Sequence, residues 1–124
     1  MGWKKDGSIT ITVTVRAGAK CEVVDYSFPS ELLVGSYEGF WFELKNAGDT
    51  GAQLYIKFVN KSGNPGTIYI KTPYGDVMEV SPGFFGLIAT EDKVSPGSTV
   101  KISGEVRFDK PGSYEIEVEY GHWR

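Results

Sequence analysis

Strict alternation of apolar and polar residues is the feature that most constrains this chain. It recurs in five segments, at residues 9–16, 40–45, 53–58, 100–108 and 114–120. Successive side chains of a strand point to opposite faces, so each segment is predicted to be a strand with one buried and one wet face. Weaker strands fit residues 22–28, 67–71, 76–80 and 85–90.

Short segments rich in proline and glycine separate the predicted strands, at residues 63–66, 73–76, 81–83, 95–97 and 110–112. Proline presets φ and glycine permits positive φ, so these segments predict turns. No apolar run keeps helical spacing for more than one turn. We therefore predict an all-β fold, an antiparallel β-sandwich of seven to nine strands.

Length and charge exclude several classes of protein. A chain of 124 residues is predicted to form one domain, and a net charge of -3 argues against binding to nucleic acid. No window reaches the ~18 apolar residues of a membrane span, and we expect no membrane insertion and no signal peptide in this segment. Scarce asparagine and glutamine resemble the composition of heat-loving organisms.

Residues for catalysis are scarce. His122 is the only histidine and stands close to the end, where we expect a frayed terminus, while general bases are held rigidly. Cys21 is the only cysteine, so it forms no internal disulfide and lacks partners for zinc ligation or redox chemistry. We predict no catalytic residue, no metal site and no cofactor, and expect that the protein is not an enzyme.

Several acidic residues are candidate ligands for a cation. Glu115, Glu117 and Glu119 share one face of a predicted strand, where carboxylates could bind a cation or bracket a sugar. We favour a solvated face opposite Lys101 and Arg107. The loop acids lack the spacing of a calcium loop; they are Asp49, Glu91 and Asp92.

Aromatic residues at exposed positions are the best candidates for binding. Trp41 and Tyr55 fall on the polar phase of their strands, and Tyr74, Phe84 and Phe85 fall in predicted loops. Exposed rings could stack on sugars or dock a protein. The alternative is that loops cover Trp41 and Tyr55, and that Phe84 and Phe85 plug one end of the sandwich.

Three stretches, residues 35–49, 95–100 and 110–118, together resemble the CARDB-like family, immunoglobulin-like modules related to fibronectin type III sandwiches. The resemblance covers residues 19–120. It implies a seven-strand immunoglobulin-like sandwich, a role in adhesion, spacing or display on secreted or cell-surface proteins, and protein partners or neighbouring domains. It implies no catalytic residues.

The chain departs from that family at both ends. The family continues past the strand at 114–120 into a last strand, whereas this chain carries an extra strand at 9–16. We predict that residues 1–18 add this strand to a sandwich formed by residues 19–124. The strand would fill the vacant place beside 114–120; alternatively it pairs with another copy, giving a homodimer through a strand edge.

Two predictions concern connections. Matching apolar faces pairs Phe108 with Tyr114 and Arg107 with Glu115 in a closing hairpin. The polar stretch KNAGDTG at 45–51 would instead cross between the two sheets, as the resemblance implies.

For function, these observations favour a non-catalytic structural or protein-binding module. A carbohydrate-binding module that uses Trp41, Tyr55 and the loop aromatics is the alternative, with a polysaccharide as the ligand.

Overall fold

The computed structural model of the chain describes residues 2–14, 18–61 and 66–123. These residues form eight strands and no helix. In chain order the strands are β1 (Cys21–Ser27), β2 (Glu38–Asn46), β3 (Gln53–Asn60), β4 (Ile68–Lys71), β5 (Val77–Val80), β6 (Phe85–Ala89), β7 (Thr99–Phe108) and β8 (Ile116–Trp123).

The strands form two antiparallel sheets. One has five strands in the order β1-β2-β7-β4-β5, and the other has three in the order β6-β3-β8. The predicted all-β antiparallel sandwich is confirmed, because the alternating residues of both sheets meet in one core. The central contributors from β2 and β3 are Phe40, Phe42, Leu44, Leu54, Ile56 and Phe58.

The predicted crossover after β2 is confirmed. β2 and β3 lie in different sheets, so residues 47–52 lead from one sheet to the other. Asn46 is fully buried at the end of β2, and its amide donates to the carbonyls of Thr50 (2.8 Å) and Val94 (2.9 Å). The bend is therefore fixed by a buried side chain as well as by the polar composition of the loop.

The predicted closing hairpin is wrong. β7 pairs with β2 and β4, whereas β8 pairs with β3 in the other sheet. Phe108 and Tyr114 do meet, with ring centroids 4.5 Å apart. The turn between them therefore joins the sheets, and the partner of Arg107 across the ladder is Tyr69.

The extra N-terminal strand is not seen beside β8. Residues 9–14 have no strand pairing, and the side chains of Ile9, Ile11 and Val13 are exposed. In this chain they therefore do not fill the vacant place. Residues 15–16 and the predicted turn at 63–65 lie outside the described residues; pairing with another copy stays a prediction.

Candidate functional site

Trp41 lies apart from the other predicted aromatic residues. It is half-buried on the outer face of the five-stranded sheet, between the inward-facing Phe40 and Phe42. The Lys101 ammonium lies 4.2 Å from its ring centroid, a cation–π contact. Trp41 is therefore covered in part by a basic side chain of the adjacent strand.

Tyr55 and Phe85 share the outer face of the three-stranded sheet. Tyr55 on β3 stands between Ala89 of β6 and Gly121 of β8. Phe85 begins β6 with 58% of its surface exposed, and the Lys57 ammonium lies 4.1 Å from its ring centroid. The structure thus brings together two of the five predicted residues, on the side opposite Trp41.

Tyr74 and Phe84 lie in turns. The Tyr74 hydroxyl, in the turn between β4 and β5, donates a hydrogen bond to the carbonyl of Ala89. Burial, and secondarily the charge of Glu91, raise the pKa of Tyr74. The backbone carbonyl of Phe84 accepts a hydrogen bond from the backbone N–H of Asn60 at 3.0 Å. The side chain of Phe84 is exposed. Tyr74 therefore connects the sheets at one edge.

Two residues of this outer face were missed by the sequence reasoning. Leu87 of β6 and Trp123 of β8 are exposed beside Phe85 and Tyr55, and Trp123 pairs in register with Gln53. We name Tyr55, Phe85, Leu87 and Trp123 the aromatic face. Continuing the alternation of the last strand past residue 120 would have placed Trp123 on the same side as Glu119.

The glutamates of β8 lie on the same side and pair with one lysine of β3 and with the lysine that follows this strand. Glu117 forms an ion pair with Lys61, and Glu119 lies 3.5 Å from Lys57. The hydrogen bond and charge of Glu117 raise the pKa of Lys61. The lysines that pair with these glutamates therefore come from β3 and the residue after it, and the predicted opposition to Lys101 and Arg107 is wrong. Nowhere in 2–14, 18–61 and 66–123 do three acidic, histidine or cysteine side chains gather as metal ligands.

His122 and Cys21 have structural positions. His122 lies within β8 and pairs in register with Leu54 of β3. The expectation of a frayed terminus is therefore wrong for this residue. Cys21 is buried at the start of β1. Burial, with a smaller contribution from Glu22, raises the pKa of its thiol to about 11, which disfavours the reactive thiolate.

A groove of about 610 Å³ runs along the side of the sandwich, between β1 and β8. Tyr26 stacks on Phe42 at 5.5 Å within it, with nearly parallel rings. Apart from Asp25 the residues that line it are apolar or aromatic. The main ones are Val23, Tyr26, Phe42, Ile116, Val118 and Tyr120. We name this feature the β1–β8 groove.

β8 is the longest of the four edge strands in the described chain, and its register is regular. β1 has an irregular register between Val23 and Asp25, consistent with a bulge at Val24. β5 has four residues, and β6 has five and receives the Tyr74 hydroxyl. β8 has eight residues paired with β3 without a register shift. Bulges and short strands blunt edges, and β8 has neither.

The backbone of β8 presents hydrogen-bonding groups to this edge. The Lys61 amide donates to the Glu115 carbonyl at 2.9 Å, in the register that continues through β3 and β8. In an antiparallel ladder such bonded pairs alternate with non-bonded ones. The N–H and C=O groups of Ile116, Val118 and Tyr120 therefore point away from β3. The side chains of these same residues line the β1–β8 groove.

A larger depression, of about 740 Å³, lies at one end of the sandwich. Loop residues 29–34 and 110–114 form most of its wall, together with Phe28, Phe108 and Ile116. The Gly35 amide donates to the Phe108 carbonyl at 2.9 Å and closes the loop against β7. Loops, and not the edge of a strand, form most of this depression. We therefore place the candidate site at the β1–β8 groove.

No protein-family model and no curated protein sequence matches the chain. The described residues include no helix of the length and apolarity that a membrane crossing requires. Function is therefore inferred from the groove, the edge of β8 and the aromatic face.

Proposed function

We propose that this chain is a non-catalytic protein-binding module that accepts an extended segment along β8. The observation that carries the proposal is the coincidence of a regular open edge with an apolar groove. Backbone groups of Ile116, Val118 and Tyr120 would bond the added strand, and the β1–β8 groove would take its alternate side chains. This is recognition by strand addition, in which backbone bonds give affinity and pockets give specificity.

The resemblance to CARDB-like modules supports the same role. Such modules are immunoglobulin-like and act in adhesion, spacing or display, so a secreted or cell-surface protein is the setting we propose. Among the described strands none pairs with the outer edge of β8, so an added segment could occupy that place.

Peptide binding tests the proposal. We would mix the full chain with synthetic eight-residue peptides that alternate serine with leucine or tyrosine, a composition that differs from that of residues 9–14. Control peptides would have the same composition with the apolar residues clustered. The alternating peptides should slow amide hydrogen exchange at Ile116, Val118 and Tyr120, and the controls should not.

A pair of neighbouring substitutions locates the binding site. Tyr120→Ala removes a groove side chain, and Glu119→Ala removes a side chain from the opposite face of the same strand. Only Tyr120→Ala should weaken peptide binding. Exchange at β8 that no peptide slows, or equal effects of both substitutions, would contradict strand addition at this edge.

A second candidate function is carbohydrate binding at the aromatic face. The supporting observation is that Tyr55, Phe85, Leu87 and Trp123 gather on one sheet surface, with Trp123 69% exposed. Rings on a flat sheet can stack on sugars. A panel of polysaccharides, followed by tryptophan fluorescence, tests it. Trp123→Ala should abolish binding, and Trp41→Ala, on the opposite sheet, should leave it unchanged.

A further inference from the structure

Residues 9–14 are an exposed segment with the composition of a buried strand. Ile9, Ile11 and Val13 are 90%, 80% and 75% exposed, and threonines alternate with them. β-branched residues fit a pleated, half-buried surface and gain nothing from water on both sides. The alternation predicts that one face of this segment packs against an apolar surface. In the single chain that face is exposed instead.

The β1–β8 groove has the complementary pattern. Its wall from β8 repeats every second residue at Ile116, Val118 and Tyr120, the spacing of Ile9, Ile11 and Val13. Residues 9–14 extend roughly 20 Å as a strand, which fits within the eight residues of β8. Residues 7–14 carry no charge, so the inserted segment itself brings no ionised side chain into the groove.

The direction of the chain favours a second copy as the donor. Gly18 is held at the crossover loop, where its amide donates to the Asp49 carboxylate at 2.8 Å and its carbonyl accepts from the Asp49 amide at 2.9 Å. Only three residues separate Thr14 from Gly18.

A segment that turned back within this link would therefore run antiparallel to β1. Since β1 begins beside the end of β2, and β8 ends beside the start of β3, β1 and β8 run in opposite directions. The returning segment would thus lie parallel to β8. Parallel pairing is slightly less stable per residue than antiparallel pairing, and only a strand from another molecule is free to run antiparallel.

We infer that residues 9–14 of one copy add as a strand to β8 of a second copy, with Ile9, Ile11 and Val13 in its β1–β8 groove. The inference rests on the proposed function and names its partner. Reciprocal exchange would close a dimer, and one-way donation would extend a chain of copies.

Sedimentation of the full chain as a function of concentration tests the inference, with two variants that differ by one position. Ile11→Asp puts a carboxylate on the inserted face, and Thr12→Asp puts the same charge on the other face. The wild type should self-associate, and Ile11→Asp should weaken association roughly 100-fold because an unpaired charge would be buried. Thr12→Asp should have little effect. Both positions are exposed, so neither substitution threatens the sandwich.

Disulfide trapping identifies the acceptor. In a Cys21→Ala background, separate chains carrying Ile9→Cys, Ile11→Cys or Val13→Cys would be mixed with a chain carrying Val118→Cys and oxidised. At least one mixture should form linked pairs of unlike chains. No such linkage, or a wild type that stays monomeric up to its solubility limit, would overturn the inference.

The proposed function can survive that failure. The wild type could be monomeric while the alternating peptides slow hydrogen exchange at the β8 amides. This result would mean that β8 accepts a strand from another protein but not from a second copy of this chain. Failure of the peptides as well would remove both proposals.

Discussion

The ring of Phe58 on β3 lies 5.3 Å from the ring of Phe40 on β2, with 71° between the ring planes, although the two strands belong to different sheets. This edge-to-face contact is the geometry that aromatic pairs prefer. Phe58 also meets Phe42 at 5.8 Å and is 1% exposed. One side chain thus joins the two layers at the centre of the core.

Phe58→Ala should lower the free energy of unfolding by about 3–5 kcal/mol, because it leaves a cavity between the sheets and removes the ring contacts. Urea denaturation measures the change. Phe85→Ala is the matched control, since Phe85 is exposed on the outer face and its ring makes a cation–π contact with Lys57. We expect it to cost about 1 kcal/mol or less. Equal losses would contradict the assignment of Phe58 to the core.

Asn46→Ala should destabilise the crossover between the sheets. The substitution leaves the carbonyls of Thr50 and Val94 and the amide of Gly48 without the Asn46 side chain. The bond to Val94 is buried and the other two are half-buried, so we expect a loss of about 1–3 kcal/mol in the free energy of unfolding. Gln53→Ala, which removes a half-buried amide, should cost less. Thermal unfolding of both variants checks the order.

Gly104→Ala and Gly121→Ala should differ. A Cβ on Gly104 would lie 2.6 Å from the Lys71 carbonyl, a backbone atom of the neighbouring strand that cannot move alone. A Cβ on Gly121 would also lie 2.6 Å from its nearest atom, but that atom is the Tyr55 hydroxyl at the tip of a side chain. Gly104→Ala should therefore cost about 1–3 kcal/mol, as overpacking does, and Gly121→Ala clearly less. A melting temperature for each variant decides the matter.

Cys21 should react slowly with alkylating reagents in the folded protein. Burial raises the pKa of its thiol from an ordinary value of 9.0 to about 11, which lowers the fraction of thiolate near pH 8 about 100-fold. Mass spectrometry of the native and urea-unfolded chains would measure both rates. Reaction at equal rates would show that the thiol is neither buried nor shifted.

The same shift gives a pH dependence. Because the pKa of Cys21 is raised in the fold, its contribution to stability is complete below about pH 9, the unfolded value, and is lost as the pH rises towards 11. The alkaline loss of stability should be smaller in Cys21→Ala than in the wild type. Urea unfolding at several values of pH between neutral and alkaline would reveal the difference.

Strand positions could be predicted from the sequence because a half-buried strand alternates apolar residues on its buried face with polar residues on its exposed face. Phe40 and Phe42 on β2 and Ile56 and Phe58 on β3 are buried in the phase that alternation predicts. Pairing could not be predicted in the same way. The turn at 110–112 is compatible with a hairpin or a link between sheets, and the contact of Phe108 with Tyr114 satisfies either.

The candidate site was harder to predict because it depends on neighbours distant in the chain. The alternation of β3 predicts that Tyr55 lies on an outer face. That Phe85 and Trp123 lie on the same face follows only from the pairing of β3 with β6 and β8, which alternation does not predict. The vacant place beside the last strand was predicted from the resemblance. The groove at this place also depends on β1, which forms its other wall. No local sequence pattern predicts that β1 lies next to β8.

The pairing of β2 with β7 has a consequence for the way in which the chain must be made. β2 ends at Asn46 and β7 begins at Thr99, and residues 38–45 of the first pair with residues 99–106 of the second. At roughly 5–20 residues per second, a ribosome needs several seconds to make the intervening chain. Through that interval the nascent β2 displays its phenylalanines without a central partner. The sheet therefore assembles late in synthesis, when β7 emerges, and the newborn chain must be kept from aggregating until then.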